Sequence, residues 1–169
     1  AAECKPTAGT LSYVDTNGTT VAITGDNTKI VQNASIVRYT ASGFSAKYSA
    51  SISTVKVTVN GSTYTLTGSG STRTGGNAAI NSGSNVTATV TVTDSRGYTA
   101  SANTTVTMLA YSAPTALITL HRHSNYYSET DIKVDATWKN LGGGNLCDIK
   151  FRFKRKSASW VDSYISLSD

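Results

Sequence analysis

Few side chains in this sequence could do chemistry, and most of the candidates fall beyond residue 114. His121 and His123 are two residues apart, so an extended strand would carry both imidazoles on one face, with Glu129 and Asp131 close along the chain. A metal site needs three or four converging ligands; this spacing fixes two, and no metal is expected. Arg122, His123, Tyr126 and Tyr127 make a second group, an aromatic pair in a polar stretch beside hydrogen-bonding side chains. Sugar rings are commonly held in that way, so these four are the candidate receptor or glycan contacts. Lys150, Arg152 and Lys154 alternate with Ile149, Phe151 and Phe153, and Arg155 and Lys156 extend the positive run. On one strand this becomes a cationic row over a buried aromatic row, suited to a polyanion such as teichoic acid or to guarding a sheet edge. A single-stranded nucleic-acid platform would expose aromatics and charges together, so no nucleic-acid partner is expected.

Other motifs reduce to turns. Asp15-Thr16-Asn17-Gly18 and Gly25-Asp26-Asn27 have the composition of calcium loops, but Asp and Asn before Gly are what tight turns require anyway. The sequence has no nucleophile elbow, phosphate loop or zinc-binding helix, and few acids from which to pair carboxylates. It predicts no enzyme and no cofactor.

The elements that must position these residues are strands. From Val86 to Val92, valine and alanine alternate with threonine, Asp94-Ser95-Arg96-Gly97 follows, and a second alternating run extends to Met108. A period of two with one apolar face predicts an antiparallel hairpin packed on one side. Strands are expected at Leu11 to Val14, Thr19 to Thr24, Ser35 to Thr40, Ser51 to Val59, Ser62 to Thr67, Val86 to Thr93 and Tyr98 to Leu109. Seven strands at this spacing predict an immunoglobulin-like β-sandwich over residues 1–110. Asn60-Gly61 marks a hairpin turn, whereas Gly68 to Gly76 (GSGSTRTGG) has no periodicity and is expected to be a mobile loop.

Residues 111–114 end in Pro114 and read as a linker. Beyond it Ala116, Ile118 and Leu120, then Ile132, Val134, Ala136 and Trp138, then Ile149, Phe151 and Phe153 predict three strands of a second, partial immunoglobulin-like or fibronectin-III-like module over 115–169. Trp138, in phase with its strand, is expected in that module's core. The fold class is therefore all-β.

Serine and threonine dominate a composition with two prolines and one methionine, and the net charge of +5 is spread along the chain. Cys4 and Cys147 fall in different modules and are expected to be free thiols. Sequons at Asn17, Asn33, Asn60, Asn85 and Asn103 are what so polar a chain produces by chance. No stretch is long and apolar enough for a membrane helix, and no signal peptide opens the sequence, which reads as beginning mid-protein or at a processed end.

Two segments, DTNGTTVAITGDNTKIVQNAS from Asp15 to Ser35 and VTVTDSRGYTASANTTVTMLAYSAP from Val90 to Pro114, resemble a family of tail-associated minor structural proteins from siphoviruses of Gram-positive bacteria. The likeness continues through ETDIKVDATW, Glu129 to Trp138. It implies tandem immunoglobulin-like modules, a place in the virion tail outside the cell, and a structural or host-adhesion role without catalytic residues. The implied partners are other tail proteins or further copies of the chain, with host cell-wall polysaccharide or teichoic acid as ligand. A carbohydrate-binding module of a cell-wall hydrolase or bacterial adhesin is the alternative, and a capsid or tail decoration protein a third.

Overall fold

The computed structural model of the chain describes residues 4–122, 130–142, 144–152, 154, 159 and 165–167. The chain divides into two compact units, Ala1–Tyr111 with Leu141–Gly144, and Ser112–Asn140 with Asn145–Asp169. The first unit runs β1 (Thr10–Asp15), α1 (Gly18–Thr24), β2 (Lys29–Val31), β3 (Val37–Ser42), β4 (Ile52–Val59), β5 (Ser62–Thr65), β6 (Thr72–Ala78), β7 (Val86–Asp94) and β8 (Thr99–Leu109). A three-stranded sheet has the order β1-β3-β6 and a five-stranded sheet the order β2-β8-β7-β4-β5, with β2 parallel to β8 and every other pairing antiparallel.

The period-two pattern explains the core. Val55, Val57 and Val59 of β4 lie beside Ala88, Val90 and Val92 of β7, and Val106 of β8 continues the same face. Val37, Tyr39 and Ala41 of β3, with Ile30, Phe44 and Leu66, complete the cluster. Each fully buried valine contributes about 2 kcal/mol of transfer free energy, so the alternation is the main energetic reason for this register. Threonines of β7 and β8 pair along the outer face.

Two features expected of the first unit are overturned. Thr19 to Thr24 is a helix, not a strand: the Asn17 side chain accepts from the Thr19 N–H at 3.0 Å, and Gly25, at φ 67°, closes the far end by donating to Val21 at 2.9 Å. Thr20 and Thr24 form its buried side. The glycine-rich stretch is not all loop either, because its second half becomes β6 and pairs with β3. Glycine is required there by proximity: a Cβ on Gly76 would come within 2.8 Å of the Tyr39 ring and 2.9 Å of the Val37 carbonyl, and one on Gly75 within 3.0 Å of Leu66. Short β2 is an element the sequence pattern does not announce.

In the second unit β9 (Thr115–Arg122) pairs with β10 (Thr130–Thr137), and β11 (Ile149–Phe151) pairs with β12 (Ile165–Leu167), both antiparallel. Ile118, Leu120 and Ile132 share one face of β9–β10 but remain exposed. Trp138 is 45% exposed and is not a core residue. It follows the last residue of β10, where the alternation that placed it inward no longer applies.

Candidate functional site

The β9–β10 register sets Arg122 opposite Thr130 and His121 opposite Asp131, with His121 Nδ1 4.0 Å from Asp131 Oδ2. Arg122 is exposed at the end of β9; His123, Tyr126 and Tyr127 lie outside the described residues, as does Glu129. On the same face Lys133 pairs with Asp135 at 3.0 Å. Among the described residues no three His, Cys, Asp or Glu side chains converge as metal ligands.

The cationic row is only partly a strand feature. Lys150 sits in β11, but the strand ends at Phe151, leaving exposed Arg152 and Lys154 beyond it. Lys150 Nζ lies 2.8 Å from Asp148 Oδ2, and this bond and the carboxylate's charge raise the lysine pKa. Phe153 lies outside the described residues, so the aromatic row beneath the charges is traced only to Phe151. Near this strand the second unit carries an open groove of about 250 Å³, whose lining among the described residues, Pro114, Thr115, Thr137, Cys147, Ile149 and their neighbours, includes no aromatic ring.

Among the described residues the densest polar chemistry is in the first unit, where sequence spacing pointed only to turns. The Asp15 carboxylate, 4% exposed, accepts from the Asn17 N–H at 2.9 Å, the Ile36 N–H at 3.0 Å, the Ser35 hydroxyl at 2.6 Å and the Thr20 hydroxyl. Ser35 Oγ in turn accepts from the Val31 N–H at 2.8 Å. Every oxygen in the cluster is engaged in joining β1, α1 and the β2–β3 connection, so its chemistry is positional. A second knot closes the β7–β8 turn. Asp94, whose side chain is fully buried, accepts from the Arg96 and Tyr98 N–H groups at 2.9 and 3.0 Å and from the Arg96 guanidinium at 2.7 and 3.1 Å. The same guanidinium donates to the carbonyls of Cys4 and Lys47. Burial pushes the Asp94 pKa up, but the Arg96 side-chain bond, the two N–H groups and the arginine's charge outweigh it and hold it below the usual carboxylate range.

At the other end of the unit the Asn81 side chain accepts from Gln32 and Asn33, and its carbonyl accepts from Asn60; with Asn17, which donates to the Ala34 carbonyl, the amide nitrogens of three of the sequons are engaged. Cys4 and Cys147 are free thiols. What spacing could not disclose is that these polar side chains, scattered along the sequence, meet as structural knots.

A family model described as "Siphovirus protein of unknown function (DUF859)" matches residues 1–142. The chain belongs to this siphovirus family. No curated protein and no solved structure matches it. The matched part of this siphovirus protein takes in both sheets of the first unit and the β9–β10 pair, including Arg122, His123, Tyr126 and Tyr127, and stops short of Lys150, Arg152 and Lys154.

Proposed function

We propose that this siphovirus protein is a non-enzymatic structural segment of the phage tail or tail tip, which spaces or presents elements that bind the surface of a Gram-positive host. Membership in a siphovirus family is the observation that carries the reading. The strand order supports an immunoglobulin-like module: β1-β3-β6 corresponds to A-B-E, and β8-β7-β4-β5 to G-F-C-C′, with β2 carrying the first strand across to the second sheet. The buried carboxylates of this unit among the described residues, Asp15 and Asp94, are saturated with hydrogen bonds, as befits a rigid spacer. The partners are other tail proteins or further copies, and the ligands are cell-wall polysaccharide or teichoic acid, met by weak contacts multiplied by copy number.

Immunogold labelling of purified virions with antibody to this chain tests the location, with label expected at the tail. Binding to host cell walls tests the role. A spacer leaves walls unbound. Selective binding that disappears in Tyr126→Ala and Tyr127→Ala would make the protein a carbohydrate-binding module, while salt-sensitive retention lost in a Lys150→Ala, Arg152→Ala and Lys154→Ala variant would assign a polyanion contact. Label spaced regularly over the capsid would overturn the tail assignment.

A further inference from the structure

Among the described residues the outer edge of β8 has no strand paired to it along most of its length. On one side β8 pairs with β7 over Thr99 to Val106 without a register shift, whereas on the other its strand partner among the described residues is β2, at Thr107 to Leu109, with β1 close by and its Tyr13 hydroxyl accepting from the Thr107 N–H. No strand among the described residues pairs with Thr99–Val106 on that side, a run of roughly 25 Å. Native proteins guard such edges with charge, proline, a bulge or short length. Here there is none: the run reads Thr-Ala-Ser-Ala-Asn-Thr-Thr-Val. The far margin of the same sheet is treated differently, since β5 is four residues long and its continuation, Thr67, exchanges backbone bonds with Thr74 of β6.

The phase of the open edge follows from its ends. Met108 donates its N–H toward β7, to Asn85, while Thr107 donates to the Tyr13 hydroxyl and Leu109 accepts from Gln32 on the outer side. Alternation then turns the backbone groups of Thr99, Ser101, Asn103 and Thr105 outward. Their side chains are exposed, and those of Ala100, Ala102 and Thr104 are half-buried on the inner face.

We propose that this edge is the docking strand for a second copy of the chain, two β8 strands pairing antiparallel about a two-fold axis at Ala102. That register sets Ser101 opposite Asn103 and Thr99 opposite Thr105, each pair exchanging both backbone bonds. It leaves Ala102 facing its own copy at a non-hydrogen-bonded position, where Cα atoms approach to about 4.5 Å and a small side chain fits best. Self-pairing is favoured over a charged partner because the edge is neutral, so two copies of a chain with net charge +5 bring no like charges together along it. The nearest cation at the turn, Arg96, is neutralised by Asp94. A two-fold contact also closes on itself, giving a dimer and not a fibre. This inference stands on the edge geometry and is independent of the tail assignment.

Sedimentation equilibrium of the 169-residue chain over a concentration series tests it, with circular dichroism and thermal melting to verify the fold. The wild type is expected to dimerise. Ser101→Lys with Asn103→Lys sets lysine against lysine across the axis and should weaken the dimer at least about tenfold. Ser101→Lys with Asn103→Glu pairs opposite charges in the same register and should restore it. A wild type that stays monomeric up to about 100 µM, a concentration that would reveal even a weak complex, overturns the proposal, as does a dimer indifferent to the double lysine. Failure of the lysine–glutamate variant to dimerise rejects the Ala102 axis.

Discussion

Two buried side chains of the first unit show opposite ways of holding a polar group. Tyr39 stacks on Tyr64, with ring centroids 6.3 Å apart, and its hydroxyl is buried without a hydrogen-bond partner. Burial, with Tyr64 and Tyr13 nearby, pushes its pKa far up, so the phenol stays protonated. Removing an unpaired buried hydroxyl while keeping the ring relieves a desolvation penalty, and Tyr39→Phe should stabilise the protein by about 1 kcal/mol. Thermal unfolding checks this; a lower melting temperature would mean that the hydroxyl is bonded after all. Asp94 is the contrary case, buried but met on both oxygens. Its folded pKa lies below its unfolded value, so its contribution is present in full above the ordinary aspartate pKa of about 3.9 and is lost as pH falls through the folded value. Asp94→Asn should be less stable than wild type at pH 7, and the gap should narrow on acidification through that window. Denaturant midpoints measured from pH 7 down to pH 2 would show a constant gap if the carboxylate's charge were irrelevant.

Among the elements, legibility followed whether a residue's reason for being there was local. β4, β7 and β8 were readable because a strand that buries one face must alternate, and Val55 to Val59 and Val86 to Val92 do so without interruption. The α1 segment was misread because Thr-Thr-Val-Ala-Ile-Thr is rich in β-branched residues with low helix propensity. Its helix is imposed by Asn17 and Gly25 at the ends and by the Asp15 knot below, of which only the end residues are visible in sequence, where they pass for turns. β6 was hidden for a different reason: its glycines erase the strand pattern, and what demands them, the Tyr39 ring and the Leu66 side chain, is distant in sequence. Gly76→Ala tests this account. At φ 107°, against an aromatic ring and a carbonyl, the added methyl should destabilise by about 2 kcal/mol, whereas Gly70→Ala, also at positive φ but with open space around it, should cost less. Equal losses in urea unfolding would show that backbone strain alone accounts for both. The candidate sites were less legible still. Spacing could place His121 and Asp131 near each other, but it could not show that Lys150 carries its own counter-ion or that β11 ends before Arg152.

At the scale of the whole molecule the two units differ in how much each buries. All the buried aliphatic and aromatic side chains among the described residues belong to the first unit, while β9 and β10 expose Leu117, Ile118, Leu120 and Ile132. Apolar burial is the main term opposing chain entropy, so the backbone bonds of β9–β10 are backed by far less free energy than those of β4, β7 and β8. Native-state hydrogen exchange should resolve the difference: amides of β4 and of the β7–β8 ladder should open only with global unfolding of the first unit, and those of β9–β10 should exchange at least about 100-fold faster. The open side of β8 adds a second, concentration-dependent signal. Outward N–H groups of Ser101, Asn103 and Thr105, bonded only across the two-fold axis, should gain protection as the chain is concentrated, while their inward neighbours Ala102 and Thr104, bonded to β7 in monomer and dimer alike, should not. Uniform protection across both units would refute the asymmetry in burial, and protection at Ser101 and Asn103 independent of concentration would mean that these groups are satisfied within one chain.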